Sequence, residues 1–435
     1  RRRGLVERML VVAPLSAFEA WFEELELCFT EVPKIALFRS RTTATEIAVI
    51  NYQRLAASYP QLARWVSQAP TQVVLDEAHR MKRGRNGEWG AACLELAPLA
   101  VRRDLLTGTP APQHPSDLVA LLDFQWPQQA LRILPDQALV AQPPREAMRE
   151  LSARMRPMFA RTQKNELGLD PPILRIETAE MRPLQYEIYR ALRTRARNAL
   201  ATSDTAAQLA QMGRIAAYLL QAAVNPGLLA GLFGGVKSAE VQWPSLEVAP
   251  SSDLATKLQS YGALEVPRKI EKLVALVAKN AGLGRKTLVW SNIVEVLRDL
   301  HDRTLAPYNP AIVYGGVPSG GEEVSWRTRE KEIRKFRTDP TCWALVANPA
   351  VMSEGVSLHR ECHDAVYVDR TFNAGQYLQS IDRIHRLGLP PGTDTRITFL
   401  VSVDTIDETV HQRVAAKAQA LSEMLSDPLL VEMAL

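Results

Sequence analysis

The chain has 435 residues, of which 46% are hydrophobic and 23% are charged, and its net charge is +4. That length is too great for one hydrophobic core, so we expect a globular protein of two or three domains. The small net charge does not by itself indicate a nucleic-acid partner. The scattered cysteines exclude a disulfide framework, and the lack of a long apolar run excludes a membrane span.

The first 110 residues alternate between predicted strands and predicted helices. Apolar runs predict strands at residues 9–14, 47–50, 72–76 and 105–107, and the aromatic segment after Pro14 predicts a helix. Such alternation is typical of a parallel sheet that is covered by helices.

Two adjacent carboxylates, Asp76 and Glu77, end the third of these strands. A parallel sheet binds its ligands at the carboxyl ends of its strands, where neighbouring residues point in different directions. We therefore interpret Asp76 as the acid that holds a hydrated Mg²⁺ on a triphosphate, and Glu77 as the acid that polarises an attacking water. Because an Asp-Glu pair at a strand end is common, this interpretation depends on partners elsewhere in the chain.

Residues 125–200 have a mainly helical pattern, with one clear strand at 173–176. The basic residues of this region could contact phosphates, but a solvated helical face explains most of them equally well. They are Arg154, Arg156, Arg161, Lys164, Arg182, Arg190, Arg193, Arg195 and Arg197. Residues 231–256 contain paired glycines and Pro-Ser sequences, which are typical of a flexible link or a lobe boundary.

The alternation returns in the C-terminal part of the chain. Strands are predicted at residues 286–291, 311–314, 344–347, 365–368 and 397–401, with helical patterns between them. This pattern predicts a second α/β lobe. The amphipathic helix predicted at residues 407–425 is expected to pack back on that lobe.

Gln379, Arg383 and Arg386 have spacings of four and three residues, which place them on one face of a predicted helix. Two cations on one face repel each other unless an anion lies opposite. A transferring γ-phosphate is such an anion, because arginine stabilises the charge that develops in the transition state. Surface ion pairs with Asp382 and neighbouring acids are the alternative explanation.

Taken in order, these segments resemble the Swi/Snf-type ATP-dependent DNA translocases of helicase superfamily two. In the first part of the chain the resemblance is carried by residues 10–16 with Trp21, 76–82, 106–110, 157–159 with Arg161 and Lys164, and Gln185 with Tyr189. In the second part it is carried by Arg329, Ile333 and Phe336, residues 353–358, Asp369 with Asn373, residues 379–386, and residues 405–408 with Lys417. These blocks occur in the family's order along nearly the whole chain, which is more specific than any one block alone.

The resemblance implies two RecA-like parallel-sheet α/β lobes with helical protrusions between them. Residues 1–124 would form the first lobe and residues 125–262 the protrusions and the lobe connection. Residues 263–410 would form the second lobe, and residues 411–435 a C-terminal helix that packs on it.

The resemblance also implies ATP and Mg²⁺ as cofactors and double-stranded DNA as the partner. Asp76 and Glu77 would handle Mg²⁺ and water, while Arg383 and Arg386 would reach across as arginine fingers. The remaining implied contacts are His79, Gly355 and Gln379 for the nucleotide, and Pro14, Ser16, Asn51, Thr107, Ser291, Asn292 and Ser353 for a nucleic-acid strand or its coupling to ATP. Small hydroxyl and amide groups of this kind contact phosphates without reading base sequence.

One element of the family pattern has no counterpart in the 435 residues. The glycine-rich phosphate loop that ends in Lys and Ser or Thr should precede the first strand, and no such sequence occurs. The nearest imitation, residues 282–287, precedes a strand of the second lobe instead of following one of the first. We therefore expect these residues alone to bind ATP weakly and to hydrolyse it poorly. Leu389, where the family usually has glutamine, is a smaller departure.

Two alternatives to a DNA motor stay open. The first is a degenerate pair of lobes that clamps nucleic acid or a partner protein without turnover. The second is an RNA helicase of the DEAH group, because residues 76–79 read Asp-Glu-Ala-His. For any of the three we expect a soluble intracellular protein, in the cytoplasm, nucleoid or nucleus, that works with other protein domains or subunits.

Overall fold

A computed structural model describes residues 4–18, 21–22, 25, 28–39, 45–108, 110–111, 114–160, 162, 166, 168–201, 205–232, 251–318, 327–352, 356–390 and 392–425. These residues form two parallel β-sheets with helices packed against them. The predicted α/β class with two sheets is confirmed.

The first sheet has five strands in the order β2-β3-β1-β4-β5, all parallel. The strands are β1 (Arg8–Val12), β2 (Ile35–Leu37), β3 (Ile47–Ile50), β4 (Thr71–Asp76) and β5 (Arg102–Leu106). The central strands are apolar and buried, since helices cover both faces of such a sheet. The sequence patterns missed β2, a partly exposed edge strand of three residues.

The second sheet has six parallel strands in the order β6-β11-β10-β7-β9-β8. They are β6 (Ile173–Ala179), β7 (Lys286–Trp290), β8 (Ala311–Val313), β9 (Ala344–Ala347), β10 (Cys362–Tyr367) and β11 (Arg396–Ser402). The strand predicted at residues 173–176 is β6, and it pairs along its whole length with β11. The region between the two predicted lobes therefore contributes an edge strand to the second sheet.

The α-helices in the described residues connect and cover these strands. They are Tyr52–Leu55, Tyr59–Ser67, Glu88–Leu96, Asp117–Gln125, Ala130–Ile133, Arg145–Met155, Pro183–Ala201, Thr205–Val224, Asp253–Leu264, Arg268–Gly282, Val294–Asp299, Arg329–Thr338, Pro349–Met352, Ala374–Ile381 and Ile406–Leu425. None of the helices that the structure describes has the length and apolar character needed to cross a bilayer.

The buried side chains form separate cores that follow the two sheets. One core lies against the first sheet and another, larger one lies against the second. Helix Asp117–Gln125 contributes to both, because Leu121 and Phe124 pack in the first core while Leu118 and Leu122 pack in the second.

A third core joins helices Pro183–Ala201, Thr205–Val224 and Asp253–Leu264 into a helical unit. Two hydrogen bonds attach this unit to the second sheet and to the helix that follows it. Ser402 Oγ donates to Ala223 O over 2.7 Å, and Ile406 N donates to Tyr189 Oη over 2.8 Å. The helical unit is therefore fixed beside the carboxyl end of β11.

Candidate active site

Asp76 is the last residue of β4, and several neighbours hold it in place. Trp21 Nε1 donates to Asp76 Oδ2 over 2.9 Å, and Glu77 N donates to Asp76 Oδ1 over 2.9 Å. Tyr52 Oη donates to the Asp76 carbonyl over 2.8 Å. A carboxylate oxygen accepts more than one hydrogen bond, so these donors orient the group without exhausting it.

The chain turns sharply at Glu77, which has a left-handed backbone with φ of 51°. This conformation is costly for a residue with a side chain, by roughly 1–3 kcal/mol, and such strain concentrates at functional sites. The turn sends the Glu77 carboxylate towards His79, whose Nδ1 lies 3.2 Å from Glu77 Oε2. The two carboxylates thus diverge, with Asp76 facing Trp21 and Glu77 facing His79.

Thr107 follows β5 and joins the same group. His79 Nδ1 lies 3.2 Å from Thr107 Oγ1, which links the ends of the neighbouring strands β4 and β5. The structure therefore brings Asp76, Glu77, His79 and Thr107 together at one edge of the first sheet.

The donor set at this edge fits a magnesium ion that is held mainly by water and phosphate. Mg²⁺ commonly takes one or two carboxylates and keeps several waters, unlike a zinc ion in a closed protein cage. Within the described residues, no group of three or more His, Cys, Asp or Glu side chains is placed to enclose a metal. Asp76 is the residue that would hold such an ion, and Mg²⁺ would neutralise triphosphate charge there.

In the second sheet, Ser291 and Asn292 follow β7 and are held by Asp369, which lies after β10. Ser291 Oγ donates to Asp369 Oδ2, while the Asn292 backbone N donates to Asp369 Oδ1 over 2.8 Å. Burial raises the pKa of Asp369, and the hydrogen bonds from Ser291 and Asn292 oppose that rise. Asp369 belongs to one of the blocks that carry the family resemblance, but no site role was predicted for it.

The other predicted backbone contacts have different surroundings. Asn51 is nearly buried and caps helix Tyr52–Leu55, because its Oδ1 accepts from Arg54 N over 3.0 Å. Pro14 is buried at the end of β1, and Ser16 lies in the short turn Leu15–Ala17. Ser353, Gly355 and the side chain of Ser16 lie outside the described residues.

The prediction that Gln379, Arg383 and Arg386 share one helical face is wrong. The helix ends at Ile381, and the chain continues in turns through both arginines. Arg383 is almost fully buried, and its Nε donates to Gln379 O over 3.1 Å.

The segment after residue 355 holds both guanidinium groups. Arg383 Nη1 donates to Val356 O over 2.9 Å, and Arg386 Nη1 donates to Ser357 Oγ. Arg386 is exposed, whereas Arg383 is not. Of the two cations, Arg386 is therefore the one that presents its side chain to an outside anion.

Residues 282–287, which resemble a phosphate loop in sequence, form structural contacts. Gly282 ends a helix and Lys286 begins β7. Lys286 Nζ donates to Phe336 O and, over 2.8 Å, to Asp339 O. Because its donors are directed at backbone carbonyls, Lys286 is not placed to bind a nucleotide.

Two protein-family models match the sequence of this chain. Residues 1–226 match the model of the SNF2-related domain, and residues 268–388 match the helicase conserved C-terminal domain. The chain is 24% identical to mouse DNA excision repair protein ERCC-6-like and 22% identical to human DNA annealing helicase and endonuclease ZRANB3. The matches cover 95% and 96% of this chain but only 37% and 36% of those relatives.

Solved structures also align with the chain. The SWI2/SNF2 ATPase core of Sulfolobus solfataricus, in complex with double-stranded DNA, aligns with all of this chain and with 85% of its own. Sequence identity is 20% and the TM-score is 0.40.

Proposed function

Because this chain belongs to the SNF2-related family, we propose that it is the motor portion of an ATP-dependent translocase acting on double-stranded DNA. ATP would be hydrolysed between the two lobes, and their opening and closing would move the protein along one strand of the duplex. The observation that carries the proposal is the divergence of the Asp76 and Glu77 carboxylates at the carboxyl end of β4.

Each site residue has one task in this proposal. Asp76 binds a hydrated Mg²⁺ on the triphosphate, and Glu77 orients the attacking water. Arg386 stabilises the charge that develops on the γ-phosphate, since guanidinium groups match phosphate oxygens geometrically. Arg383 supports it by holding the adjacent segment through Val356 O. His79, Gly355 and Gln379 contact the nucleotide.

The nucleic-acid contacts lie at strand ends of both lobes. Thr107 belongs to the first lobe and Asn292 to the second. Ser291 is fully buried and bonded to Asp369, so we give it the task of coupling Asn292 to the second lobe. Such hydroxyl and amide groups bind the phosphate backbone and leave base sequence unread. We include Pro14, Ser16, Asn51 and Ser353 in this group. The Asn51 side chain would have to contact the nucleic acid while its Oδ1 still caps helix Tyr52–Leu55.

We keep the proposed division into residues 1–124, 125–262, 263–410 and 411–435, with β6 as a strand that the second region lends to the second lobe. The chain spans only 36–43% of the length of the curated relatives named here and of mouse chromodomain-helicase-DNA-binding protein 1-like. We propose that the remainder of the full protein supplies the phosphate loop and the partner-binding domains. The 435 residues alone would then turn over ATP poorly.

The alternatives are less well supported. A clamp without turnover has no use for the strained acid at Glu77. The DEAH-group assignment is corrected by the family match, which is to the SNF2-related domain although residues 76–79 read Asp-Glu-Ala-His. We therefore propose DNA, in the nucleoid or nucleus, as the partner, and not RNA.

The test is ATP turnover by the full-length protein with and without duplex DNA. Glu77→Gln keeps the size of the side chain but removes its charge, so we expect the DNA-stimulated rate to fall at least about 10²-fold. Glu95→Gln, an exposed position of the same lobe, is the matched control and should retain the wild-type rate. Full DNA-stimulated turnover by Glu77→Gln, or stronger stimulation by RNA than by duplex DNA, would refute the proposal.

A further inference from the structure

Helix Pro183–Ala201 carries a row of arginines on one exposed flank. Arg190, Arg193 and Arg197 follow each other at spacings of three and four residues, and all three side chains are exposed. At about 100° per residue they fall within an arc of roughly 60°. We call Arg190, Arg193 and Arg197 the arginine row.

The opposite side of the helix explains why the row has a fixed direction. Ile188, Tyr189, Leu192 and Ala196 are buried in the core of the helical unit. Gln185 is also buried, and its Nε2 donates to Ala222 O over 3.0 Å. Because this face is locked, the helix cannot rotate to bring acidic neighbours opposite the row.

The positive charge of the row is not compensated within the described residues. Arg190, Arg193 and Arg197 form no ion pair there, whereas the nearby Lys257 is paired with both Glu187 and Asp253. The sequence contains no acidic residue between Glu187 and Asp204.

The arginines of the row repel one another. Like charges three or four residues apart on a helix destabilise it. The helix dipole accounts for a cation in the last turn, but the row begins more than two turns earlier. An external polyanion would remove the repulsion along the whole row.

The location of the row indicates which polyanion that is. Tyr189, adjacent to Arg190, accepts a hydrogen bond from Ile406 N just after β11. Ser402, the last residue of β11, holds the same helical unit through Ala223. The unit therefore sits at the carboxyl edge of the second sheet, the edge that also carries Ser291 and Asn292.

We propose that the arginine row binds the phosphate backbone of duplex DNA, as a contact additional to the strand-end residues. The choice of duplex DNA rests on the proposed function. The row spans about 10 Å along the helix, enough for neighbouring phosphates of one strand. Guanidinium groups bind phosphate oxygens in a bidentate manner, so arginine suits this task better than lysine. The contact adds affinity and fixes orientation without reading sequence.

The test is the salt dependence of duplex DNA binding by the full-length protein, without nucleotide. In the triple variant Arg190→Gln, Arg193→Gln, Arg197→Gln, the slope of log affinity against log salt should become shallower by about 2.7. Raising the salt from about 50 mM to about 200 mM should then weaken the wild-type protein about 40-fold more than the variant. Single substitutions should each change the slope by about 1, which tests the proposal even if the triple variant unfolds.

Two controls make the result specific. The triple Arg268→Gln, Lys272→Gln, Arg303→Gln removes the same charge from cations that already have acidic partners, and it should change the slope much less. The triple arginine-to-lysine variant of the row should keep most of the wild-type slope.

Three results would overturn the proposal. They are a wild-type slope in the triple glutamine variant, an equal change in the control triple, and a loss of binding to heparin while duplex DNA binding stays intact. Because no ATP turnover is measured, loss of the row's role leaves the motor proposal standing. In the same way, if Glu77→Gln does not affect turnover, the proposed role of the arginine row still stands.

Discussion

Trp21 shows how much of the proposed site depends on a single hydrogen bond. Its indole N–H donates to Asp76 Oδ2 over 2.9 Å and joins the segment after β1 to the acid at the end of β4. The donor orients the carboxylate that would receive Mg²⁺. Such outer partners of a metal ligand often change metal affinity by 10- to 100-fold when they are removed.

We therefore predict that Trp21→Phe, which keeps an aromatic ring but removes the donor, raises the Mg²⁺ concentration for half-maximal ATP turnover by about tenfold. The measurement is a Mg²⁺ titration of DNA-stimulated turnover in the full-length protein. Trp65→Phe, in the same lobe, removes an indole N–H that makes no hydrogen bond within the described residues, so this control should leave the titration unchanged. A Trp21→Phe titration that overlays the wild type would remove Trp21 from the site.

The sequence predicted the positions of some site residues but not their long-range contacts. The apolar run before Asp76 and Glu77 sufficed to predict both acids at a strand end, and β4 ends there. The bond from Trp21 to Asp76 joins residues 55 positions apart, and no local pattern encodes it. The bond from Ser291 to Asp369 was not predicted for the same reason, because the two residues lie 78 positions apart.

At the scale of elements, strands were easier to predict than helix ends. Buried parallel strands are continuous apolar runs, so most of both sheets could be predicted. The spacing of Gln379, Arg383 and Arg386 suits a helix, but it also suits a chain that turns after Ile381. Long arginine side chains reach back to carbonyls there, as Arg383 does to Gln379 O.

Helix Ile406–Leu425, which we call the closing helix, packs near β10 and β11 through His411, and this contact predicts a dependence of stability on pH. Arg370 follows β10, lies 4.3 Å from the Phe399 ring centroid and donates to His411 Nδ1 on helix Ile406–Leu425. Burial, followed by the charge of Arg370, lowers the pKa of His411 from 6.5 to about 4. Between about pH 4 and pH 6.5, His411 is therefore neutral in the folded protein but protonated in the unfolded chain.

A histidine with a lowered pKa contributes stability that is fully present above pH 6.5 and is lost as the pH falls towards about 4. We predict that the free energy of unfolding decreases between pH 7.5 and pH 5 more in the wild type than in His411→Gln. Glutamine can still accept from Arg370, so the contact is preserved. Denaturant unfolding at both pH values measures this difference, and identical decreases in the two proteins would contradict it.

Asp364 and Asp369 also make stability depend on pH. The effect of His411 is therefore measured as the difference between the wild type and His411→Gln. Burial raises the pKa of both carboxyls, so their contribution to stability increases as the pH falls and opposes that of His411. This opposing contribution is the same in His411→Gln, and it cancels in the difference.

On the scale of the whole molecule, the parts between and after the sheets connect the two lobes. Helix Asp117–Gln125 contributes to both cores. Lys417, on the closing helix, donates to Phe372 O over 2.7 Å, and burial together with Lys82 of the first lobe lowers its pKa. Two sheets could be predicted from the alternation of elements, but these bridges arise from tertiary packing and could not.

We propose that both lobes contribute groups to one ATP site. The most direct test is the turnover number of full-length Arg386→Gln in saturating ATP and duplex DNA. Arg360→Gln, another exposed arginine of the second lobe, is the matched control. An arginine that acts on the transition state should lower turnover by roughly 10³-fold while the KM for ATP stays near the wild-type value. Turnover within about twofold of the wild type would contradict a shared site.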